Sequence, residues 1–208
     1  SWWFDPAVRA YPPIALAPGD ALVSSVSVAV PHVLPAPMRG GDRSISPVAS
    51  MSVLTVLAQA PPGDAFRPSY CDRTQRLRRA SALDRARLPS LHLSNAAAMP
   101  PLAELEALFR RPWVDLSPFN FDAPAEYMAQ YGREVAMAVS YAALLLALDF
   151  PPEQKVPLTN YLVQYGIDLH GCLQAGYGWP AFGGHRSGRK LPIVLAGLLL
   201  GEPAMQRV

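Results

Sequence analysis

Residues 124–148, PAEYMAQYGREVAMAVSYAALLLAL, decide the fold because their apolar positions repeat with the period of a helix. The apolar positions follow i, i+3, i+4, i+7 spacing: Tyr127, Met128, Tyr131, Val135, Ala138, Val139, Ala142, Leu145 and Leu146. Such spacing places these side chains on one face of a helix. From Tyr141 onward the pattern becomes apolar all round, which indicates burial on several sides. We therefore predict a long, deeply packed helix over 124–148.

A second helix is predicted over 153–175, after the short connection 149–152. Its apolar stripe consists of Leu158, Leu162, Tyr165, Leu169 and Leu173. Pro157 fits the first turn, where the missing backbone N–H costs nothing. Two long helices joined by so few residues predict an antiparallel helical hairpin. Residues 192–200 have no polar face and begin a further hairpin arm.

The N-terminal part is rich in proline and predicts strands rather than helices. Residues 21–30 follow the turn signal 18–20 and show an incomplete alternation of apolar and polar residues, and the mostly apolar segment 51–57 is closed by the turn signal 61–63. They predict a small antiparallel β-element, which must dock on the rest because an isolated hairpin is marginal in water. A short helix is predicted over 102–110.

The predicted fold class is therefore α+β, with a small N-terminal antiparallel β-element followed by antiparallel α-hairpins. Three regions are expected along the chain. Residues 1–65 hold an extended aromatic N-terminus, including Trp2 and Trp3, and the β-element. Residues 66–122 form an irregular linker with the short helix, and residues 123–208 form the α-hairpin region.

The charge pattern argues against a nucleic-acid partner, and no segment is predicted to span a membrane. The net charge of +2 is too small to imply nucleic acid, and the basic run 73–87 contains no aromatic residue to stack on bases. We interpret this run as a solvated face. The longest apolar stretch, 135–148, has about 14 residues, whereas a membrane-spanning helix needs roughly 20.

The chain begins at Ser1 without a methionine or a leader, so we expect a removed signal or an excised piece of a longer chain. We expect a secreted or periplasmic protein. We also expect it to contact partner chains or the remainder of a longer chain. Cys71 and Cys172 fit no metal-ligand spacing. They either form one disulfide or remain two buried thiols. No metal and no cofactor are predicted.

The loop 177–190 is the strongest candidate for the functional region. Residues 176–190, GYGWPAFGGHRSGRK, contain five glycines, three aromatic residues, four residues that are or can be cationic, and no acid. Its cations lie near a helix N-terminus, where each is unfavourable by roughly 0.3–1 kcal/mol unless an anion is bound. The predicted ligand-binding residues are Trp179, Phe182, Arg186, Arg189 and Lys190. Alternatively, the cations form salt bridges with Asp168, Glu134 or a missing part of the chain.

Several titratable groups of the second helix precede this loop. Tyr161, Tyr165 and Asp168 share one side of the helix at i, i+4 and i+7. His170 lies one residue beyond the apolar stripe, and a lone histidine there is more often structural. No Ser-His-Asp, cysteine-nucleophile or paired-carboxylate motif is evident from spacing.

Residues 124–201 resemble the α/α-toroid polysaccharide lyases, the group that contains alginate lyases and heparinase II/III-like enzymes. The features that carry the resemblance are long apolar α-hairpins, then Gly-Trp-Pro at 178–180 and Gly-Gly-His-x-Ser-Gly-Arg-Lys at 183–190. The resemblance covers roughly the last 85 residues. It implies a fragment of an α/α-toroid.

The resemblance also implies eliminative cleavage of an acidic polysaccharide. Arg186 or Arg189 would then neutralise the uronate carboxylate. His170 or His185 would act as the base, and Tyr177 would act as the acid. Two other functions stay open: a non-catalytic structural or interaction module, with Trp2, Trp3 and the helix 193–200 covered by partner chains, and a sugar-binding module that uses Trp179 and Phe182 as platforms.

Overall fold

The computed structural model describes residues 13–27, 48–94, 99–115, 123–129 and 131–208. Within them, two small antiparallel sheets are present. Strand β1 (Ala21–Ser27) pairs with β2 (Val48–Thr55), with Val23 opposite Val53. Strand β3 (Ala65–Phe66) pairs with β4 (Arg78–Arg79). The predicted β-element is confirmed, although β2 begins three residues earlier than expected, and the predicted strand positions 28–30 lie outside the described residues.

Helices make up most of the remaining regular structure. The described helices are α1 (Leu102–Phe109), α2 (Gly132–Leu146), α3 (Pro152–Gln174), α4 (Lys190–Leu200) and α5 (Pro203–Gln206). Helix α3 contacts α1, α2 and α4, and α4 also contacts α5, so α3 lies at the centre. The fold class α+β is confirmed, but these helices show no toroid.

The core lies around α3 and draws on every part of the described chain from β3 onward. Leu158, Leu162 and Leu169 of α3 are fully buried. The described part of the region 66–122, expected to be a linker, contributes seven buried apolar residues: Phe66, Tyr70, Leu83, Leu105, Phe109, Trp113 and Val114. That region therefore closes the core instead of spanning a gap between two bodies.

The predicted helix 124–148 is wrong in its first part, since α2 begins only at Gly132. The backbone N–H of Ala125 donates to Val48 O at 3.0 Å, and that of Glu126 donates to Ala49 O at 2.9 Å. The hydroxyl of Tyr127 donates to Met51 O at 3.0 Å and Pro112 O at 2.9 Å. These residues are thus tied to β2, which docks the β-element on the core and prevents an earlier helix start.

Helix α4 packs against α3 at a very short separation. A Cβ on Gly166 would lie 2.1 Å from Pro192 O, so only glycine permits this approach. On α4, Ile193, Ala196 and Leu199 retain at most 1% of their exposure. Burial by the chain itself corrects the expectation that partner chains cover the helix 193–200. Trp2 and Trp3 lie outside the described residues.

The arginines of the basic run 73–87 have polar partners within the chain. Each of its six arginines contacts an acid or amide: Arg73 with Asp20, Arg76 and Arg78 with Glu202, Arg79 with Asp64, Arg85 with Asn160, and Arg87 with Asp84. Arg73, Arg76, Arg79 and Arg87 nevertheless keep 84%, 62%, 56% and 50% of their side-chain exposure, so most of the run is solvated, as expected. Across the described ranges, no helix combines the length and the apolar character needed to cross a membrane.

Candidate functional site

The loop 177–190 is anchored by an acid from another part of the chain, Asp115. Arg189 lies directly before α4 with 3% of its side chain exposed, and its Nε donates to Asp115 Oδ2 at 2.8 Å. Its Nη2 lies 3.3 Å from Oδ1, and Trp179 Nε1 donates to the same Oδ1 at 3.1 Å. The anion expected near this helix N-terminus is therefore supplied by the protein itself.

Asp115 is held in place by two tyrosines. Its backbone N–H donates to the hydroxyl of Tyr70 at 3.0 Å. The hydroxyl of Tyr165 on α3 donates to Oδ2 at 3.5 Å. Burial raises the pKa of Tyr165 well above its ordinary value, with the Asp115 charge adding to the effect, so this hydroxyl stays protonated as a donor. Both oxygens of Asp115 are thus satisfied inside the protein.

These contacts correct the expected roles of Arg189 and Trp179. Their polar groups are committed to Asp115, so the structure gives them a function in the fold. The alternative of an internal salt bridge describes Arg189 well, although its partner is neither Asp168 nor Glu134. Sequence reasoning missed Asp115 because it lies 74 residues before Arg189.

Glycine explains how the loop reaches α2. Gly188 has a φ of +86°, and a Cβ there would lie 2.7 Å from Ala136 N. Gly132 at the start of α2 lies even closer to the loop, since a Cβ there would lie 1.9 Å from Gly184 O. Side chains at these two positions would push the loop off the helix and move Arg189 away from Asp115.

The three expected catalytic residues have different surroundings. His170 is 7% exposed; burial lowers its pKa, and Arg78 acts in the same direction, while Glu202 opposes them. His185 lies edge-on to the Tyr131 ring, with the ring centroids 4.9 Å apart. Tyr177 is 47% exposed, and its backbone N–H donates to Cys172 O at 2.9 Å.

The remaining residues that were expected to bind a ligand do not form an enclosed pocket in the described structure. Arg186 and Lys190 are exposed on the outside of the loop. The side chain of Phe182 lies outside the described part of the structure. Among the expected catalytic and ligand-binding residues whose side chains are described, none lines the cleft that the structure reveals beside α3.

That cleft, the Asp168 cleft, has a volume of about 270 Å³ and lies between β2, the C-terminal end of α1 and the middle of α3. It is lined by Ser52 and Val53, by residues 109–113, and by Arg67, Tyr161, Gln164, Tyr165 and Asp168. The sequence signal was the row of Tyr161, Tyr165 and Asp168 on one side of the helix, and in the structure all three line this cleft, which the sequence did not predict. The arginines were missed because they come from the region interpreted as a linker.

Asp168 is buried at this cleft with an incomplete set of partners. Its side chain is 1% exposed, and its Oδ2 accepts a hydrogen bond from Arg67 Nη2. Among the described residues, its Oδ1 has no partner at hydrogen-bonding geometry. Burial raises the pKa of Asp168 to about 6, although the Arg67 guanidinium, the Gln164 amide and the Tyr70 N–H partly offset that effect. Asp168 can therefore gain and lose a proton close to neutral pH.

Arg67 is fixed along α3 by its backbone. Its N–H donates to Gln164 Oε1 at 2.9 Å, and Gln164 Nε2 donates back to Arg67 O at 3.0 Å. Two residues later, Ser69 Oγ donates to Asp168 O at 3.0 Å. The wall of the cleft that carries Arg67 is therefore in place before any ligand arrives.

Two more arginines stand at the rim. Arg111 pairs with Glu126 at 2.6 Å and lies 4.0 Å above the Tyr127 ring centroid, so its position is fixed. Arg110 is exposed and forms no ion pair with any described residue. Arg110 is consequently the rim cation best able to exchange water for a ligand anion.

The cleft does not have the donor set of a metal site. Among residues whose placement is described, no group of three or more His, Cys, Asp or Glu side chains is arranged to hold a metal ion. Asp168 is the one carboxylate among the described residues that line the cleft. Its chemistry is therefore that of one carboxyl group, phenols and guanidinium groups.

No family model, curated protein or solved structure matches the chain. The geometry of the site alone supports the functional proposal.

Proposed function

We propose that the chain binds an acidic carbohydrate in the Asp168 cleft and cleaves it by β-elimination. One observation carries the proposal: a buried carboxyl group with a pKa of about 6 and an oxygen without a hydrogen-bond partner among the described residues lines a cleft rich in arginine. A buried polar atom of this kind calls for an explanation, and a ligand donor supplies one.

The charges of the cleft favour an anion. Arg67, Arg110 and Arg111 line it, and Asp168 is the one acid among the described lining residues. Arg67 and Arg111 already have carboxylate partners, whereas Arg110 offers its planar fork to a carboxylate or sulfate. The volume of about 270 Å³ lies just below the roughly 300–1,000 Å³ typical of ligand pockets. One or two sugar units of a longer chain fit this description.

The polar groups at the cleft floor favour a ligand with hydroxyl groups. Within the described part of the chain, Asp168 Oδ1 has no hydrogen-bond partner, and a sugar hydroxyl is a donor of the right size. Tyr161 and Gln164 of α3 line the cleft beside it and add a phenol and an amide. The cleft thus combines a cation that can bind a carboxylate with groups that can bind hydroxyls. A uronic acid carries both a carboxylate and hydroxyls, so it complements this lining.

The carboxylate count favours elimination over hydrolysis. Glycoside hydrolysis commonly uses a pair of carboxyl groups on opposite sides of the bond, and the described lining provides one. In β-elimination, a base removes the proton from the carbon beside the uronate carboxylate, a C=C bond forms, and the C–O bond to the leaving sugar breaks. An acid then returns a proton to the leaving oxygen. One base, one acid and one cation are sufficient.

The proposed roles move from the loop to the cleft. Arg110 takes the neutralising role expected of Arg186 or Arg189. Asp168 takes the role of the base, since a pKa near the working pH suits proton abstraction. The phenol of Tyr161 takes the role of the acid.

The proposal is tested with alginate, heparin, hyaluronan and pectin, and with a neutral dextran as the reference ligand. Binding is measured by calorimetry, and cleavage by the absorbance of the unsaturated product. Arg110→Ala should weaken binding of the acidic ligand by roughly 10- to 100-fold, because it removes a hydrogen bond between charged groups. Asp168→Asn should abolish the product while the protein remains folded.

Arg186→Ala is the matched control, since Arg186 is also an exposed arginine but lies in the loop. We expect it to bind and cleave like the wild type. If Arg186→Ala loses affinity and Arg110→Ala does not, the site belongs to the loop and the cleft proposal fails. Binding without product that depends on Arg110 would leave a sugar-binding module and exclude the lyase.

A second candidate function, an interaction module, is favoured by a separate observation on α2. Met137, Tyr141 and Leu144 follow one another at i, i+4 and i+7 and are 47%, 46% and 63% exposed. Such an apolar stripe on a helix is typical of a contact surface. Leu144→Glu should abolish any concentration-dependent association seen by sedimentation, and a wild type that stays monomeric at all concentrations and binds no partner through this face would argue against it.

A further inference from the structure

The two cysteines of the chain, Cys71 and Cys172, lie next to each other in the fold. Cys71 follows β3, and Cys172 lies near the C-terminal end of α3. The two residues are 101 positions apart, yet their Sγ atoms are 3.3 Å apart, and both are free thiols. A disulfide has an S–S distance of about 2.05 Å, so bond formation requires an approach of only ~1.3 Å.

The backbone around Cys71 is held against α3. The N–H of Cys71 donates to Ser69 Oγ at 3.2 Å, and Ser69 Oγ donates to Asp168 O at 3.0 Å. A Cβ on Gly171 would lie 2.1 Å from Ser69 Oγ, so the segment and the helix are in close contact at the residue before Cys172. These contacts keep the two thiols together without a covalent bond.

The two thiols are not equivalent. Cys71 is partly exposed, whereas Cys172 is fully buried. The hydrogen bond from the Cys172 thiol lowers the pKa of Cys71, and the same hydrogen bond together with burial raises the pKa of Cys172. Since the thiolate is the reactive form, Cys71 is the nucleophile that a reagent can reach.

We propose that Cys71 and Cys172 form a reversible disulfide by exchange with a disulfide of a small thiol such as glutathione. The Cys71 thiolate attacks one sulfur of the reagent, which releases one glutathione thiolate and leaves a mixed disulfide on Cys71. The Cys172 thiol then loses its proton and attacks the Cys71 sulfur, which releases the second glutathione. Two electrons pass from the two cysteines to the reagent, and two glutathione thiols are formed.

The disulfide would join two structures that also form the cleft. On one side it fixes the segment that carries Arg67, and on the other it fixes the end of α3 that carries Asp168. A cross-link of residues so far apart restricts the unfolded chain strongly. The proposal does not depend on the ligand of the cleft, so failure of carbohydrate binding leaves it intact.

The test incubates the reduced protein with oxidised glutathione under native conditions and follows the intact mass. The wild type should lose the mass of two hydrogen atoms, and digestion should yield the peptides of Cys71 and Cys172 joined together. Cys172→Ser should stop at a glutathione adduct on Cys71, and Cys71→Ser should remain unmodified. The thermal midpoint of the wild type should rise by roughly 10 °C on oxidation and return on reduction with dithiothreitol.

Three results would overturn the proposal. One is a wild type that keeps a glutathione adduct on Cys71 without forming the internal bond. Another is a protein whose cysteines react only after unfolding. The third is a disulfide that forms but lowers the thermal midpoint, because the thiols would then be poorly placed for the bond. The wild-type mass measurement decides the question even if a variant fails to fold.

Discussion

Asp115 and Asp168 are both buried acids, and each pairs with its own arginine, but their surroundings differ. Asp115 accepts hydrogen bonds at both oxygens, and its partner Arg189 is 3% exposed. Asp168 has one oxygen without a hydrogen-bond partner among the described residues, and its partner Arg67 is 20% exposed beside a cleft. The first pair joins the loop 177–190 to the core, whereas both members of the second pair line the cleft.

The difference shows how a buried ion pair can be assigned to structure or to function. Breaking a fully satisfied pair leaves a buried charge without its partner, which is costly. An incompletely satisfied pair already carries an unfavourable term in the folded state, and proteins retain such terms at functional sites. The two acids should therefore respond differently to the same substitution.

The largest effect is expected at Asp115. Asp115→Asn removes the charge that pairs with buried Arg189, so we expect the free energy of unfolding to fall by about 3–5 kcal/mol. Urea unfolding followed by circular dichroism measures this loss. Asp149→Asn is the matched control, since Asp149 pairs with His92 at the surface and should leave stability close to that of the wild type. If Asp115→Asn loses no more unfolding free energy than Asp149→Asn does, Asp115 does not have the structural role assigned to it.

The pH dependence of stability tests Asp168. Its pKa is raised by burial from 3.8 to about 6, so between these pH values the folded protein keeps a proton that the unfolded chain has lost. Its contribution to stability is therefore fully present below pH 3.8 and is lost as the pH rises through about 6. At about 1.4 kcal/mol for each pH unit, the loss amounts to roughly 3 kcal/mol.

Asp168→Asn cannot titrate and should lack this component. The difference in unfolding free energy between wild type and variant, measured from pH 4 to pH 7, isolates it from the other acids. If the difference does not change with pH, or changes in the opposite direction, burial does not raise the pKa of Asp168.

Two glycines provide the smallest expected effects and separate the two regions without changing a charge. Gly188→Ala places a Cβ 2.7 Å from Ala136 N at a φ of +86°, and should disturb the Arg189–Asp115 pair. Gly171→Ala places a Cβ 2.1 Å from Ser69 Oγ, and should displace the segment that carries Arg67 and Cys71. Each should cost about 1–3 kcal/mol in unfolding free energy.

Gly178→Ala is the control for both, because a methyl group added at this position would meet no other atom within 4 Å. Acidic-ligand binding should weaken in Gly171→Ala and be retained in Gly188→Ala. The reverse pattern would place the ligand at the loop.

The sequence predicted what depends on neighbouring residues. The apolar stripe of α3 placed its helix within one residue at each end, and the same periodicity put Tyr161, Tyr165 and Asp168 on one side. The long-range pairs were not predictable, since Arg67 lies 101 positions before Asp168 and Asp115 lies 74 before Arg189. The start of α2 was missed for the same reason, because Ala125 and Glu126 bond to the distant strand β2. The loop 177–190 was expected to bind an anion, and the fold shows that its Arg189 and Trp179 bond to Asp115.

The most direct test measures the unfolding free energies of Asp115→Asn and Asp168→Asn side by side at pH 7. We predict a loss of about 3–5 kcal/mol for Asp115→Asn and little or no loss for Asp168→Asn, since removing the buried charge of Asp168 also removes its desolvation cost. Equal losses at the two positions would contradict the assignment of one acid to the fold and the other to the cleft.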